Sequence, residues 1–85
     1  MNAKHRSILA DVFSKPVKSN ILWRDIESLF VAMGAEISEG SGSRIRVRLN
    51  DVRAVFHCPH PQNETDRGAV VSVRRFLENA GVNHD

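Results

Sequence analysis

The stretch "SGSRIRVRLNDVRAVFHCPHP", residues 41–61, gathers four arginines, two histidines and a cysteine in an otherwise apolar alternation. Those residue types suit one kind of chemistry. Imidazole gains and loses a proton near neutral pH, so it can act as general base or general acid. Guanidinium stays charged and grips a phosphate through parallel N–H bonds. Together they match what phosphodiester cleavage without metal asks for: a base for a 2′-hydroxyl, an acid for the leaving oxygen, and positive charge on the transition state.

The spacing gives these residues a common face. "RIRVRL" alternates strictly, so Ile45, Val47 and Leu49 face one way and Arg44, Arg46 and Arg48 the other. Asn50-Asp51 serves as a two-residue hairpin turn, because both residues tolerate positive φ. The register that follows sets Leu49 against Val52, Arg48 against Arg53, Val47 against Ala54, Arg46 against Val55, Ile45 against Phe56 and Arg44 against His57. One surface of the hairpin is then apolar. The other carries Arg44, Arg46, Arg48, Arg53 and His57. Like charges opposite one another destabilise a sheet; Glu36 and Ser38 on a preceding strand can share the basic face and offset the repulsion of Arg48 by Arg53.

Each residue has a plain reading beside the chemical one. Alternating charges belong to any half-exposed strand, and His57 can be a solvated residue near a sheet end. Four arginines without a lysine point instead to planar, bidentate contacts, with His57 as the candidate general base or acid and Ser43, Arg44, Arg46, Arg48 and Arg53 as phosphate ligands. His60, between Pro59 and Pro61, sits on a conformationally stiff platform and is the weaker catalytic candidate; it can equally contact a partner. "HCPH" brings two imidazoles and a thiol together, but adjacent strand residues point to opposite faces, and no second cluster supplies further ligands. No metal site is expected, and Cys58 reads as a small buried hydrophobe. His5 and His84, near the termini, receive no role.

The elements that must position this face are equally legible. Ile8, Leu9, Val12 and Phe13 predict a helix over residues 3–13, broken by Pro16. Ser19 or Asn20 can cap a second helix whose apolar face is Ile26, Leu29, Phe30 and Met33 and whose stop is Gly34; Trp23 packs at its entrance. A strand at 35–39, the hairpin, a loop through "PHPQNETDRG" and a helix at 67–80 follow, the last capped by Asp66 and ended by Gly81. The expected fold is α+β: an extra N-terminal helix on an α-β-β-β-α core, with a three-stranded antiparallel sheet covered by helices on one face. The 85 residues read as one domain, with an N-terminal helical extension at 1–20, a core at 21–82 and a short tail at 83–85.

Composition narrows the classes. At 41% hydrophobic and 26% charged the chain is built to fold rather than to remain disordered. Net charge is only +2, but residues 41–61 hold four arginines against one aspartate, a local patch able to attract a polyanion. No apolar run approaches the ~20 residues that span a bilayer, and the apolar stretch after the basic N-terminus is too short for a signal-peptide core. A single cysteine forms no internal disulfide, which favours a cytoplasmic setting. No cofactor is expected.

"MGAEISEGSGSRIRV", "FHCPHP" and "RGAVVSVRRFLENAGV", in that order and at that spacing, resemble the HicA family of bacterial toxins across residues 23–82. The resemblance implies a small fold like the double-stranded-RNA-binding domain, mRNA cleavage, and neutralisation by a HicB-type antitoxin. In the usual family motif a Gly-Ser/Thr-His triplet opens the second strand and supplies the presumed catalytic histidine. Here the triplet is Gly42-Ser43-Arg44, while Pro59-His60 keeps the family's Pro-His element. The expected function is therefore an RNA-binding toxin that cleaves mRNA. The alternative is an RNA- or protein-binding module of the same fold without the chemistry.

Overall fold

The computed structural model describes residues 1–59 and 63–83. In chain order it contains α1 (Ala3–Val12), β1 (Ile21–Leu22), α2 (Trp23–Ala32), β2 (Glu36–Glu39), β3 (Arg44–Leu49), β4 (Val52–His57), β5 (Glu64–Thr65) and α3 (Arg67–Asn79). The β2-β3-β4 strands form an antiparallel sheet in that order, and β1 and β5 form a separate antiparallel pair. This is the α+β arrangement the sequence predicts, with α2 and α3 packed on one face of the sheet and α1 against those two helices.

The hairpin register is the predicted one at every rung, from Leu49 opposite Val52 to Arg44 opposite His57. Its turn explains the fidelity. Asn50 and Asp51 adopt φ of 51° and 67°, the left-handed pair that matches strand twist in a two-residue turn. Asn50 Nδ2 also donates to the carbonyl of Ala80 at 2.8 Å, fastening the turn to the end of α3. A one-residue slip would drive the arginines into the core, so burial specifies the register as strongly as the turn does.

The inner face of the sheet carries Ile45, Val47, Leu49 and Phe56, all buried, with Val52 and Ala54 half-buried toward the β4 edge. Against them pack Trp23, Ile26, Leu29 and Phe30 of α2 and Val70, Val73, Phe76 and Leu77 of α3. Phe56 is the joint between sheet and helices. Its ring lies 5.9 Å from Trp23 in a tilted arrangement, 5.7 Å from Phe30 in a stacked one and 5.7 Å from Phe76 edge-on. With Phe56 pinned inward, the pleat turns His57 outward. Ile8, Leu9 and Val12 bring α1 into the same core.

Helix ends follow local chemistry. Asp66 caps α3 by accepting from Ala69 N at 2.8 Å, as the sequence predicts. Gly34 and Gly81 take φ of 87° and 86° and close α2 and α3 with bonds from Ala35 N to Phe30 O and from Val82 N to Leu77 O. The start of α2 differs from expectation. Neither Ser19 nor Asn20 caps it; Leu22 holds the cap position without a side-chain bond. Ile21 and Leu22 instead pair with Thr65 and Glu64, and Trp23 N donates to Asn63 O at 2.8 Å. A backbone carbonyl from the supposed loop thus does the work of a capping side chain, and that loop contains β5.

Candidate functional site

The outer face of the sheet is free of helices, and its side chains fall into three rows that cross the strands. The first row is Arg44 and His57, bordered by the Gly40–Ser43 turn; Gly40 N donates to Arg44 O at 2.9 Å and Cys58 N to Ser43 O at 2.8 Å. The second is Ser38, Arg46 and Val55. The third is Glu36, Arg48 and Arg53. Every one of these side chains is exposed. The face exists because the strands alternate, and the alternation of β3 is unbroken over its six residues.

Within the first row, Arg44 Nε donates to His57 Nε2 at 3.1 Å. Arginine has no acceptor, so His57 Nε2 is the accepting side of this contact. The bond holds the imidazole and guanidinium side by side at the open end of the hairpin. In the third row Arg48 donates from Nε and Nη2 to Glu36 Oε1, the Nε bond being 2.9 Å. The carboxylate raises the Arg48 pKa above its ordinary value, first by hydrogen bonding and then by charge. It also relieves the juxtaposition of Arg48 and Arg53, as the sequence suggests. Arg46 makes a long 3.5 Å contact to Glu39 O, and the Arg53 side chain makes no hydrogen bond or ion pair among the described residues.

Two hollows adjoin these rows. An open depression of about 700 Å³ lies over the second and third rows, between Ser38, Arg46, Arg53 and Val55. A smaller one of about 270 Å³ lies beyond His57, between the end of β4 and the start of α3, lined by Trp23, Cys58, Thr65 and Asp66. Thr65 Oγ1 is buried beside it without a hydrogen-bond partner among the described residues. Cys58 is half-buried rather than fully so, and burial, reinforced by the Glu27 carboxylate, pushes its thiol above the ordinary range.

The structure thus brings together Arg44, Arg46, Arg48, Arg53 and His57 on one face, with Ser43 in the turn that borders it. His60 lies outside the described residues. Among those described, no three histidine, cysteine or acidic side chains converge as a metal site. Sequence reasoning overlooked two residues. Val55 occurs in the expected register, yet its 58% exposure amid the arginines escaped notice. Arg74, to which the sequence assigned no part, turns toward α1 and donates to Val12 O and Ser14 O at its end.

A helix, three antiparallel strands and a closing helix, with one sheet face left open, define a small α+β domain of the double-stranded-RNA-binding type. The model of the HicA toxin of bacterial toxin-antitoxin systems matches residues 23–82, most of the chain, and the chain belongs to that family. No curated protein and no solved structure gave a match. The family match begins at Trp23, so α1 and β1 stand outside it although they pack against the matched core. No helix among the described residues is long and apolar enough to cross a membrane.

Proposed function

We propose that this toxin binds mRNA through the open face of the sheet in the bacterial cytoplasm and cleaves it without a metal ion, and that a HicB-like antitoxin neutralises it by covering that face. The observation that carries the reading is the Arg44–His57 contact. Arg44 occupies the position where the family resemblance places a histidine, and the imidazole stands directly across the ladder from it.

In this mechanism His57 Nε2 takes the proton of a 2′-hydroxyl. The 2′-oxygen forms a bond to phosphorus, the bond to the 5′-oxygen breaks, and the products are a 2′,3′-cyclic phosphate and a 5′-hydroxyl. His60 is the candidate donor of the proton to the leaving oxygen. Arg44 swings from the imidazole to the phosphate and stabilises the charge that builds on its oxygens. Ser43, Arg46 and Arg53 hold the flanking backbone. Arg48 joins them only by leaving Glu36.

One observation favours a second reading, a binding module without catalysis: arginine cannot act as a base where the family presents histidine. Expression of the chain in a bacterial host, read as growth and transcript integrity, separates the two. Growth arrest with cleaved transcripts, abolished by His57→Ala in a folded protein, supports the enzyme. Intact transcripts with soluble, folded protein leave the binding module.

A further inference from the structure

Val55 sits in the middle row of the basic face, 58% exposed, with Arg46 directly across the ladder and Arg53 and His57 two residues away along β4 on either side. An apolar side chain at the centre of an open, otherwise polar sheet face gains from being covered by something apolar and flat. The charges around it are evenly dealt. The first row holds Arg44 beside His57, with histidine counted as neutral at pH 7. The second holds Arg46. The third holds Arg48 and Arg53 against Glu36. Each row therefore carries one net positive charge, and successive rows are two residues apart, about 6.7 Å by the rise of a strand.

We propose that this face takes single-stranded RNA running along β3 and β4. The base of one unpaired nucleotide packs on Val55 beside Arg46, and the phosphates of its neighbours rest on Arg44 and Arg53. Glu36, by engaging Arg48, keeps the third row at one charge. The inference rests on the RNA-binding reading above and adds to it the strandedness of the substrate and the place where a base is held. One charge per row matches one charge per nucleotide. Guanidinium planes at Arg46 and Arg53 offer the stacking and cation–π contacts by which proteins hold splayed bases. A duplex keeps its bases stacked inside and has no flat apolar surface to lay on Val55. The depression of about 700 Å³ at these residues supplies the room.

The test is binding of a 2′-O-methyl oligoribonucleotide, which cannot be cleaved at the 2′-position, as a single strand and as a hairpin duplex, measured by fluorescence anisotropy at low salt. The single strand should bind the full chain at least tenfold more tightly. Val55→Glu should weaken it by about tenfold, within what loss of a stacked base costs, while Val55→Phe should tighten it, a gain that misfolding cannot produce. Hairpin binding should respond to neither. Equal affinity for the hairpin, or indifference of the single strand to both Val55 variants, overturns the base platform and leaves the phosphate contacts standing. Failure of both RNAs to bind at low salt removes the RNA reading with it.

Discussion

Arg74 is the residue through which α1 depends on the core. It projects from α3, yet its Nε donates to Val12 O at 3.0 Å and its Nη2 to Ser14 O at 2.9 Å, and its guanidinium lies 6.0 Å from the centre of the Phe13 ring. The last turn of α1 has no basic residue of its own, so Arg74 supplies the positive charge that the exposed carbonyl end of that helix favours. Hydrogen bonds to a charged group contribute about 1.5–3 kcal/mol each. Both here are only partly buried, and water can replace them in a variant, so Arg74→Ala should cost about 2–3 kcal/mol in total.

Against a folding free energy of about 4–13 kcal/mol for a chain of this length, that is a large loss. It corresponds to a Tm lower by roughly 10–20 °C at about 4–8 °C per kcal/mol. Urea unfolding and thermal melts followed by circular dichroism would measure it. Arg74→Lys keeps the charge but lacks the fork that reaches two carbonyls, and should recover about half. A loss below about 0.5 kcal/mol for Arg74→Ala, the range of an ordinary surface substitution, would refute the clamp and mean that α1 is held by Ile8, Leu9 and Val12 alone.

Three further outcomes follow from named contacts. Glu36→Gln releases Arg48, so the salt dependence of single-strand RNA binding should steepen by about 0.7 in log–log slope, one extra phosphate contact; an unchanged slope would show that Arg48 stays away from RNA. Asp51→Gly relieves a side chain at positive φ and should stabilise the fold by about 0.5–1 kcal/mol in urea titrations, whereas Asn50→Gly loses the bond to Ala80 O and should destabilise it by about 1 kcal/mol. Because the Cys58 thiol is raised by burial, less thiolate is present at any given pH than in the unfolded chain. Alkylation should therefore be slow at neutral pH and reach its midpoint above the ordinary cysteine range, and a rate equal to that of the urea-unfolded chain would contradict the assigned environment.

The hairpin and its basic face were legible because three independent local signals agreed: strict alternation in β3, a turn pair tolerant of positive φ, and an apolar set that only one register buries. The β1–β5 pair was not legible. Each strand is two residues long, too short for a periodicity, and Ile21 and Thr65 meet only once the chain has folded. The same non-local pairing displaced the predicted caps at Ser19 and Asn20, because Asn63 O reaches Trp23 N first. The part played by Arg74 was not legible for a related reason. Sequence places it on the flank of a helix but says nothing of which neighbouring helix ends within its reach. Val55 was missed by a different route: alternation identified its face, and the arginines around it drew the eye from the one apolar residue there.

Arg44 and His57 form a directly opposed pair, whose Cβ atoms in an antiparallel ladder stand about 4.5–5.5 Å apart. Exchanging two such residues keeps both functional groups in one row of the same face, which is how a base could persist on a strand other than the one where the family resemblance places it. The double exchange Arg44→His with His57→Arg should then retain transcript cleavage better than either single variant. Arg44→His leaves two imidazoles and no guanidinium in the row, and His57→Arg leaves two like charges opposed and no base. Measured as cleavage rate on one transcript, with folding of all three variants checked by circular dichroism, the exchange should lie closest to the parent chain. If the double variant is inactive while Arg44→His alone gains activity, the base belongs on β3 at the family position. His57 is then a neighbour of the chemistry, with its bond to Arg44 serving only to order the sheet end.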